Sequence, residues 1–224
     1  MSLKVIKTSD GSDSILNVDL NETYHSVHGA IQESEHVFIN AGLQHFLAKN
    51  SLQEFNILEI GFGTGLNAAL TGLALGRTSS HVSYTSLEAF PLKEDIWRTL
   101  NHGSKLQAAE FFKKLHEAPW ETPSKLSPSF TLLKKEITLQ QAVLPANGYH
   151  LIYFDAFAPS KQPEMWTFEM LKKITFSLHP TGIFVTYCAK GQLKRDLKQL
   201  GLNVETLPGP PGKMEMVRAI KPEI

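Results

Sequence analysis

The sequence predicts an α/β fold in which a mostly parallel sheet is covered by helices, and three observations carry that prediction. Strand-like apolar runs alternate with helical ones through most of the chain. A glycine-rich turn, "GFGTG", joins the first run of that series to an apolar helical segment. The last two strand-like runs are joined only by "GPPGK", which is a hairpin connection and not a crossover. At 224 residues the chain has the length of one α/β unit. We expect a core over 51–224, with an N-terminal hairpin and helix extension over 1–50 packed on it.

In chain order, "LKVIK" and "SILNVDL" flank an Asp-Gly and Ser-Asp cluster, which predicts a hairpin turning near Ser9 to Ser14. Val37, Phe38, Ala41, Phe46 and Leu47 fit one helix over His36 to Lys49, with Ser34 as its N-cap. The alternating series follows. "NILEIG" leads to a helix over Leu66 to Leu75, and "VSYTSLE" to one over Lys93 to Leu100. Next come the strands "FTLLKKE" and "HLIYFD", then "GIFVTY" with a helix over Gln192 to Leu200. "NVETLP" and "MEMVRAI" form an antiparallel pair at the sheet edge. The Pro/Ser-rich stretch Ala118 to Ser129 reads as a surface loop.

Composition narrows the function classes. Twenty-two basic and 22 acidic side chains leave no net charge, so a nucleic acid or membrane partner would have to be met by a local patch. Cys188 is the only cysteine, which excludes an intrachain disulfide framework and fits a reducing compartment. The N-terminus lacks the apolar core of a signal peptide, and no apolar run reaches membrane-spanning length. We therefore expect a cytoplasmic protein without a membrane partner.

The glycines point to a ligand. A strand, a glycine turn and a helix N-terminus put unpaired backbone donors at the carboxyl edge of a parallel sheet. Gly61, Gly63 and Gly65 give G-x-G-x-G, with Leu66 where a dinucleotide fingerprint would have its third glycine, and no P-loop lysine follows. A nucleoside without a phosphate chain suits such a turn, and S-adenosylmethionine (SAM) meets that description. Glu88, ending the second strand of the series, is placed to accept hydrogen bonds from both ribose hydroxyls. Glu59 would orient the loop or bind the ligand's ammonium group, and Asn67 in the first helical turn joins the cofactor-binding set.

Asp155 ends the strand "HLIYFD" at the same edge, followed by Ala156, Phe157 and Pro159. Transfer of a methyl group to an amine needs a neutral nitrogen lone pair in line with the sulfonium methyl. A carboxylate that orients the N–H groups and receives or relays a proton is then useful, and Asp155 is our catalytic candidate. Phe157 and Trp166 would wall the pocket. The plainer alternatives are that Asp155 caps the following turn and that the aromatics belong to the core. Cys188 lacks an identifiable base partner and reads as a packing residue. His25 and His28 do not form a metal signature by spacing alone, and no metal is expected.

With these residues in place, the chain resembles the methyltransferase part of the bifunctional tRNA 5-methylaminomethyl-2-thiouridine biosynthesis proteins and their stand-alone form (the MnmC/MnmD family). The segments that carry the resemblance are "YHSVHGAIQESEHVFINAGL", "ILEIGFGTGLN", "YTSLEAFPL", "YFDAFAPSKQPEMW", "TYCAKGQLKRDLKQLG" and "PGPPGKMEMVRA". It implies a Rossmann-like SAM-dependent methyltransferase fold. It also implies transfer of a methyl group from SAM to the 5-aminomethyl nitrogen of a modified wobble uridine in the tRNA anticodon loop. Gly61, Gly63, Gly65 and Glu88 match the cofactor motifs and Asp155 the acceptor-side carboxylate, while Tyr24, Glu33 and Ser34 would close over donor or acceptor. Bifunctional relatives add an FAD-dependent oxidoreductase domain, and its reaction is not expected of these 224 residues. A separate flavin-dependent or other tRNA-modifying enzyme would then supply the aminomethyl substrate. Met214 stands where the family pattern has a basic residue, which weakens an RNA-contact role for the last hairpin.

An RNA patch is not fixed by the sequence. Lys190, Lys194, Arg195 and Lys198 share part of one helical surface, and three lysine doublets (113/114, 134/135 and 172/173) depend on the fold for their grouping. Two other functions stay open at this level: a SAM-dependent N-methyltransferase of a small amine, and a non-catalytic SAM- or tRNA-binding module.

Overall fold

The computed structural model describes residues 2–76 and 78–223. Among them the main sheet has eight strands, and a smaller sheet at the N-terminus has three. The small sheet contains β1 (Leu3–Lys7), β2 (Asp13–Asn17) and β3 (Glu22–Thr23), all antiparallel. Reciprocal hydrogen bonds fasten it to the rest: Asp13 N donates to Asn101 Oδ1 and Asn101 N to Asp13 Oδ2, both at 2.8 Å.

A continuous helical stretch follows as α1 (Ala30–Ser34), a π-helical segment (Glu35–Gln44) and α2 (His45–Lys49). It starts six residues before the expected helix, so Ser34 is not an N-cap: it lies inside the helix, fully buried, and Gly29 precedes the first turn. Gly42 in the π segment packs where a Cβ would sit 3.2 Å from Val185 and 3.3 Å from Tyr153, so the helix lies close against the sheet.

The alternating part then runs β4 (Glu54–Ile60), α3 (Leu66–Leu75), β5 (His81–Glu88), α4 (Glu94–Trp97), α5 (His102–Lys105) and α6 (Ala109–Glu117). It continues through β6 (Ser124–Ser127), β7 (Phe130–Glu136), β8 (Tyr149–Phe154), a 3₁₀ turn (Pro163–Trp166) and α7 (Phe168–Ser177). The last elements are β9 (Leu178–Thr186), α8 (Gly191–Gln199), β10 (Asn203–Pro208) and β11 (Glu215–Ile220). The main sheet is ordered β10-β11-β9-β8-β4-β5-β7-β6. β4, β5, β7, β8 and β9 pair in parallel, whereas β11 is antiparallel to both β9 and β10, as the short "GPPGK" connection requires.

Two sequence expectations need correction. The stretch 118–129 is not wholly loop, because β6 pairs antiparallel with β7 and covers that sheet edge. The helix expected over Lys93 to Leu100 is reduced to the single turn α4.

Strand residues alternate between two cores, one on each face of the sheet. Ile57, Leu151, Tyr153 and Val185 face the helices from residue 30 to 49, α3 and α6. Leu58, Ile60, Ile152, Phe154 and Phe184 face α7 and α8, which contribute Leu171, Ile174, Leu193 and Leu197. Burial on both faces explains why "NILEI" and "LIYF" read as unbroken apolar runs. It also places the ends of β4, β5 and β8 side by side: Gly61 N donates to Leu87 O at 2.9 Å and Asp155 N to Ile60 O at 3.0 Å.

Candidate active site

Open parallel sheets bind ligands beyond the carboxyl ends of their strands, where consecutive connections leave in opposite directions. β4 meets that condition, since it lies between β5 and β8. A cavity of about 600 Å³ opens there, within the range of a nucleoside-sized site.

The turn after β4 is built for close approach. Gly61, Gly63 and Gly65 have φ of +93°, +49° and +72°, a region that side chains with a Cβ seldom enter. A Cβ on Gly61 would meet Asp155 O at 2.8 Å, and one on Gly63 would meet Tyr24 Cδ1 at 3.1 Å. The loop is also braced from behind. His25 Nε2 lies 2.7 Å from Thr64 Oγ1, and His116 Nε2 donates to Thr64 O at 3.1 Å. Lys134 Nζ donates to His116 O at 2.7 Å and lies over the rings of Phe62 and Trp120. Burial pulls the pKa of His25 down to about 4 and that of His116 to about 3, so both imidazoles are neutral braces.

Glu88 faces the cavity at the end of β5. One carboxylate oxygen accepts from Gly63 N at 2.9 Å and the other from Phe90 N at 2.8 Å. Each keeps a lone pair for a further donor. Burial raises its pKa against the opposing effect of those amides.

Asp155 follows β8 directly, beside the start of the glycine turn, and lines the same cavity; Asn67 Nδ2 donates to its Oδ2 at 2.8 Å. Burial, followed by the negative charge of Glu33, raises its pKa to about 7; the Asn67 hydrogen bond and Lys213 act against that rise. Tyr24 and Phe157 stand edge to face, 5.1 Å between ring centres, and wall the cavity beside it. Glu33 takes Ser26 N on one oxygen at 2.6 Å and pairs with Lys213 on the other. Lys213 also lies 4.0 Å over the ring of Tyr187, whose hydroxyl donates to Ala156 O at 2.8 Å.

The structure thus gathers Tyr24, Glu33, Gly61, Gly63, Asn67, Glu88, Asp155 and Phe157 around one cavity. Four expected residues stand behind its wall. Glu59 is fully buried under the loop and accepts from Ser86 Oγ at 2.6 Å, which leaves it no access to a ligand's ammonium group. Ser34 is enclosed in its helix, Gly65 opens α3, and Trp166 packs on Phe154 while its Nε1 donates to Phe157 O at 2.8 Å. Trp166 therefore positions the Phe157 backbone and does not wall the pocket. Lys213, Tyr187 and His25 escaped the sequence reading because each acquires its partner only through the fold.

The lysine groups divide differently from their sequence pattern. Lys194 pairs with Glu215 at 3.0 Å, Lys134 is buried, and Lys173 Nζ donates to Leu139 O and Gln140 O. Among the described residues no group of three or more His, Cys, Asp or Glu is arranged to hold a metal ion, and no helix is long and apolar enough to cross a membrane.

The fold and the glycine-lined cavity define the class, and comparison with known proteins agrees. Residues 109–222, just over half of the chain, match the family described as S-adenosyl-L-methionine-dependent methyltransferase, and the chain belongs to that family. Two curated relatives are tRNA 5-methylaminomethyl-2-thiouridine biosynthesis bifunctional proteins MnmC. The one from Dichelobacter nodosus is 29% identical over 216 residues, covering 91% of this chain and 34% of its own. The one from Burkholderia mallei is 31% identical over 218 residues, covering 88% of this chain and 32% of its own. This chain thus spans about a third of the length of the curated relatives it matches. Among solved structures, MNMC2 from Aquifex aeolicus superposes with a TM-score of 0.75 at 23% identity, over 100% of this chain and 73% of that one. The CMeT domain of citrinin polyketide synthase gives 0.51 at 16% identity, over 81% and 51%. These two show the shared fold.

S-adenosylmethionine is therefore the cofactor, and the residues present fit it. The positive-φ glycine turn lines a cavity of nucleoside volume, and Glu88 offers acceptor capacity at its rim.

Proposed function

We propose that this methyltransferase acts on the 5-aminomethyl nitrogen of a modified wobble uridine in tRNA, giving 5-methylaminomethyl-(2-thio)uridine. The observation that carries the reading is the placement of Asp155: a half-buried carboxyl, oriented by Asn67 and beside the glycine turn on the same cavity, with a pKa raised to about 7. An alkyl ammonium must lose a proton before its nitrogen can attack, and a base is most effective when its pKa lies near the working pH. When bound, SAM supplies an electrophilic methyl on a sulfonium. Gly61, Gly63 and Glu88 would hold it, and Asp155 would accept the acceptor amine's proton and orient its remaining N–H groups. Tyr24 and Phe157 offer ring faces and edges to an extruded base, the form in which single-stranded loops present nucleobases to enzymes.

The names and coverage of the curated relatives support tRNA as the carrier of that amine. A separate enzyme supplying the aminomethyl group belongs to the same proposal. The test is incubation of purified protein with methyl-labelled SAM and tRNA carrying 5-aminomethyluridine, followed by nucleoside mass spectrometry. Label in 5-methylaminomethyluridine is the expected result. Label only in small amines would replace tRNA by a small-molecule acceptor.

A further inference from the structure

Beneath the cavity floor lies a buried polar cluster that the proposed reaction does not use directly. Glu59 on β4, Tyr84 and Ser86 on β5, and Asn67 on α3 contribute to it, with Tyr153 of β8 and Asp155, which follows that strand, beside them. Ser86 Oγ serves one oxygen of Glu59. Three fully buried atoms of the cluster have no hydrogen-bond partner: Glu59 Oε1, Asn67 Oδ1 and Tyr84 Oη. Tyr84 and Asn67 both act on Glu59, each favouring its charged form.

Counting donors decides the protonation state. With Glu59 ionised, Glu59 Oε1 and Asn67 Oδ1 are both buried acceptors without a hydrogen-bonded donor, the Tyr84 hydroxyl can serve at most one of them, and no cation is among the groups acting on Glu59. One proton on Glu59 supplies the missing donor, and leaving such groups unpaired in a dry site is costly. We propose that Glu59 is a positioning residue, held as the neutral acid, whose proton fixes the Asn67 amide so that its Nδ2 stays on the Asp155 carboxylate. Burial, the largest effect, with Asp155 adding like-charge repulsion, pushes the Glu59 pKa up to about 8 against the opposing effects of Ser86, Tyr84 and Asn67. The inference rests on Asp155 being the acceptor-side base. The charged or titratable groups acting on Asp155 are Glu33 and Lys213, with Tyr187 and Glu59 also near it.

The test compares full-length wild type, E59Q, E59L, N67A and D155N by the pH dependence of kcat on the tRNA substrate and by SAM affinity in calorimetry. A neutral-for-neutral exchange in E59Q should leave the acid limb within about 0.2 pH units and SAM affinity within about twofold. E59L and N67A, which free or remove the amide donor, should both move the acid limb upward by about half a unit or more. If Glu59 is ionised, E59Q removes a negative charge and the limb falls instead; that result, or a tenfold loss of SAM affinity in E59Q, overturns the proposal. N67A gives the comparison if E59L does not fold. A readout free of turnover is the infrared carbonyl band of a protonated carboxyl at pH 7, recorded in the D155N background. The band should vanish on adding E59Q, and its absence beforehand overturns the assignment. An acid limb that survives in D155N would sink the Asp155 reading alone, leaving the infrared result to judge Glu59.

Discussion

On the proposed reading, Asp155 combines the proton transfer and its energetic cost in one side chain. An unfolded aspartate titrates near 3.8, and this one near 7, so the unfolded chain loses its proton first. Stability contributed by the protonated form is therefore lost as pH rises through that window, and above it the folded state carries a half-buried charge that Asn67 and Lys213 only partly compensate. D155N should lower kcat by about 10²- to 10⁴-fold while retaining SAM affinity, as expected for loss of a proton acceptor. The same variant should melt higher at pH 8, by about 2 °C or more, since even 1 kcal/mol shifts a domain of this size by that amount. Equal or lower melting at pH 8 would show that the carboxylate is better solvated than its burial implies. Gly61 makes the complementary case on the backbone side. In G61A a Cβ 2.8 Å from Asp155 O at φ +93° must push β4 and β8 apart, at a cost of about 1–3 kcal/mol and with loss of SAM affinity measurable by calorimetry.

The glycine turn depends on a set of buried imidazoles that belong to different elements. His25 follows β3, His102 opens α5 and His116 lies in α6; the His25 and His102 rings contact each other, Phe112 contacts both His102 and His116, and His116 also meets Phe62 and Trp97. Burial is the leading cause that lowers all three, His25 to about 4 and the other two to about 3. Below about pH 6.5 the unfolded chain binds protons that the folded chain refuses, so stability falls with pH by up to about 1.4 kcal/mol per pH unit for each group. Neither ring nitrogen of His102 has a hydrogen-bond partner. H102L should therefore be at least as stable at pH 7.5 and should unfold at a lower pH in an acid titration followed by circular dichroism. An unchanged acid midpoint would place the sensitivity elsewhere. None of this packing was legible in the sequence, where the histidines are up to ninety residues apart. What was legible had local causes: the β4 turn and α3 from three glycines before an apolar run, β8 from its unbroken apolar stretch, and the β10–β11 hairpin from "GPPGK". α6 starts at Ala109, after Ala108, which offers no side-chain cap, so nothing in the sequence marks where it begins. Helix formation from Ala30 likewise lacks a side-chain cap, and the tertiary packing of Ala30, Val37 and Phe38 sustains it.

At the scale of the molecule, the two ends of the chain meet over the cavity. Lys213, between β10 and β11, reaches Glu33 of α1, and His36 Nε2 lies 2.8 Å from Pro208 O. The site residues that local motifs reveal come from the middle of the chain, whereas this pair appears only once both ends are packed. Glu33 is nearly buried while the Lys213 side chain is 32% exposed. Removing the lysine should thus cost about 2 kcal/mol, less than the 3–5 kcal/mol typical of a fully buried pair. K213M should accordingly melt roughly 4–8 °C lower, and the double variant K213M/E33Q should recover part of that loss. The pair also sets the electrostatics of Asp155 with opposite signs: Glu33 raises its pKa and Lys213 lowers it. The acid limb of kcat should move up in K213M, down in E33Q, and return close to wild type when both charges are removed. Parallel shifts in the two single variants would mean that the changes act through packing and not through charge.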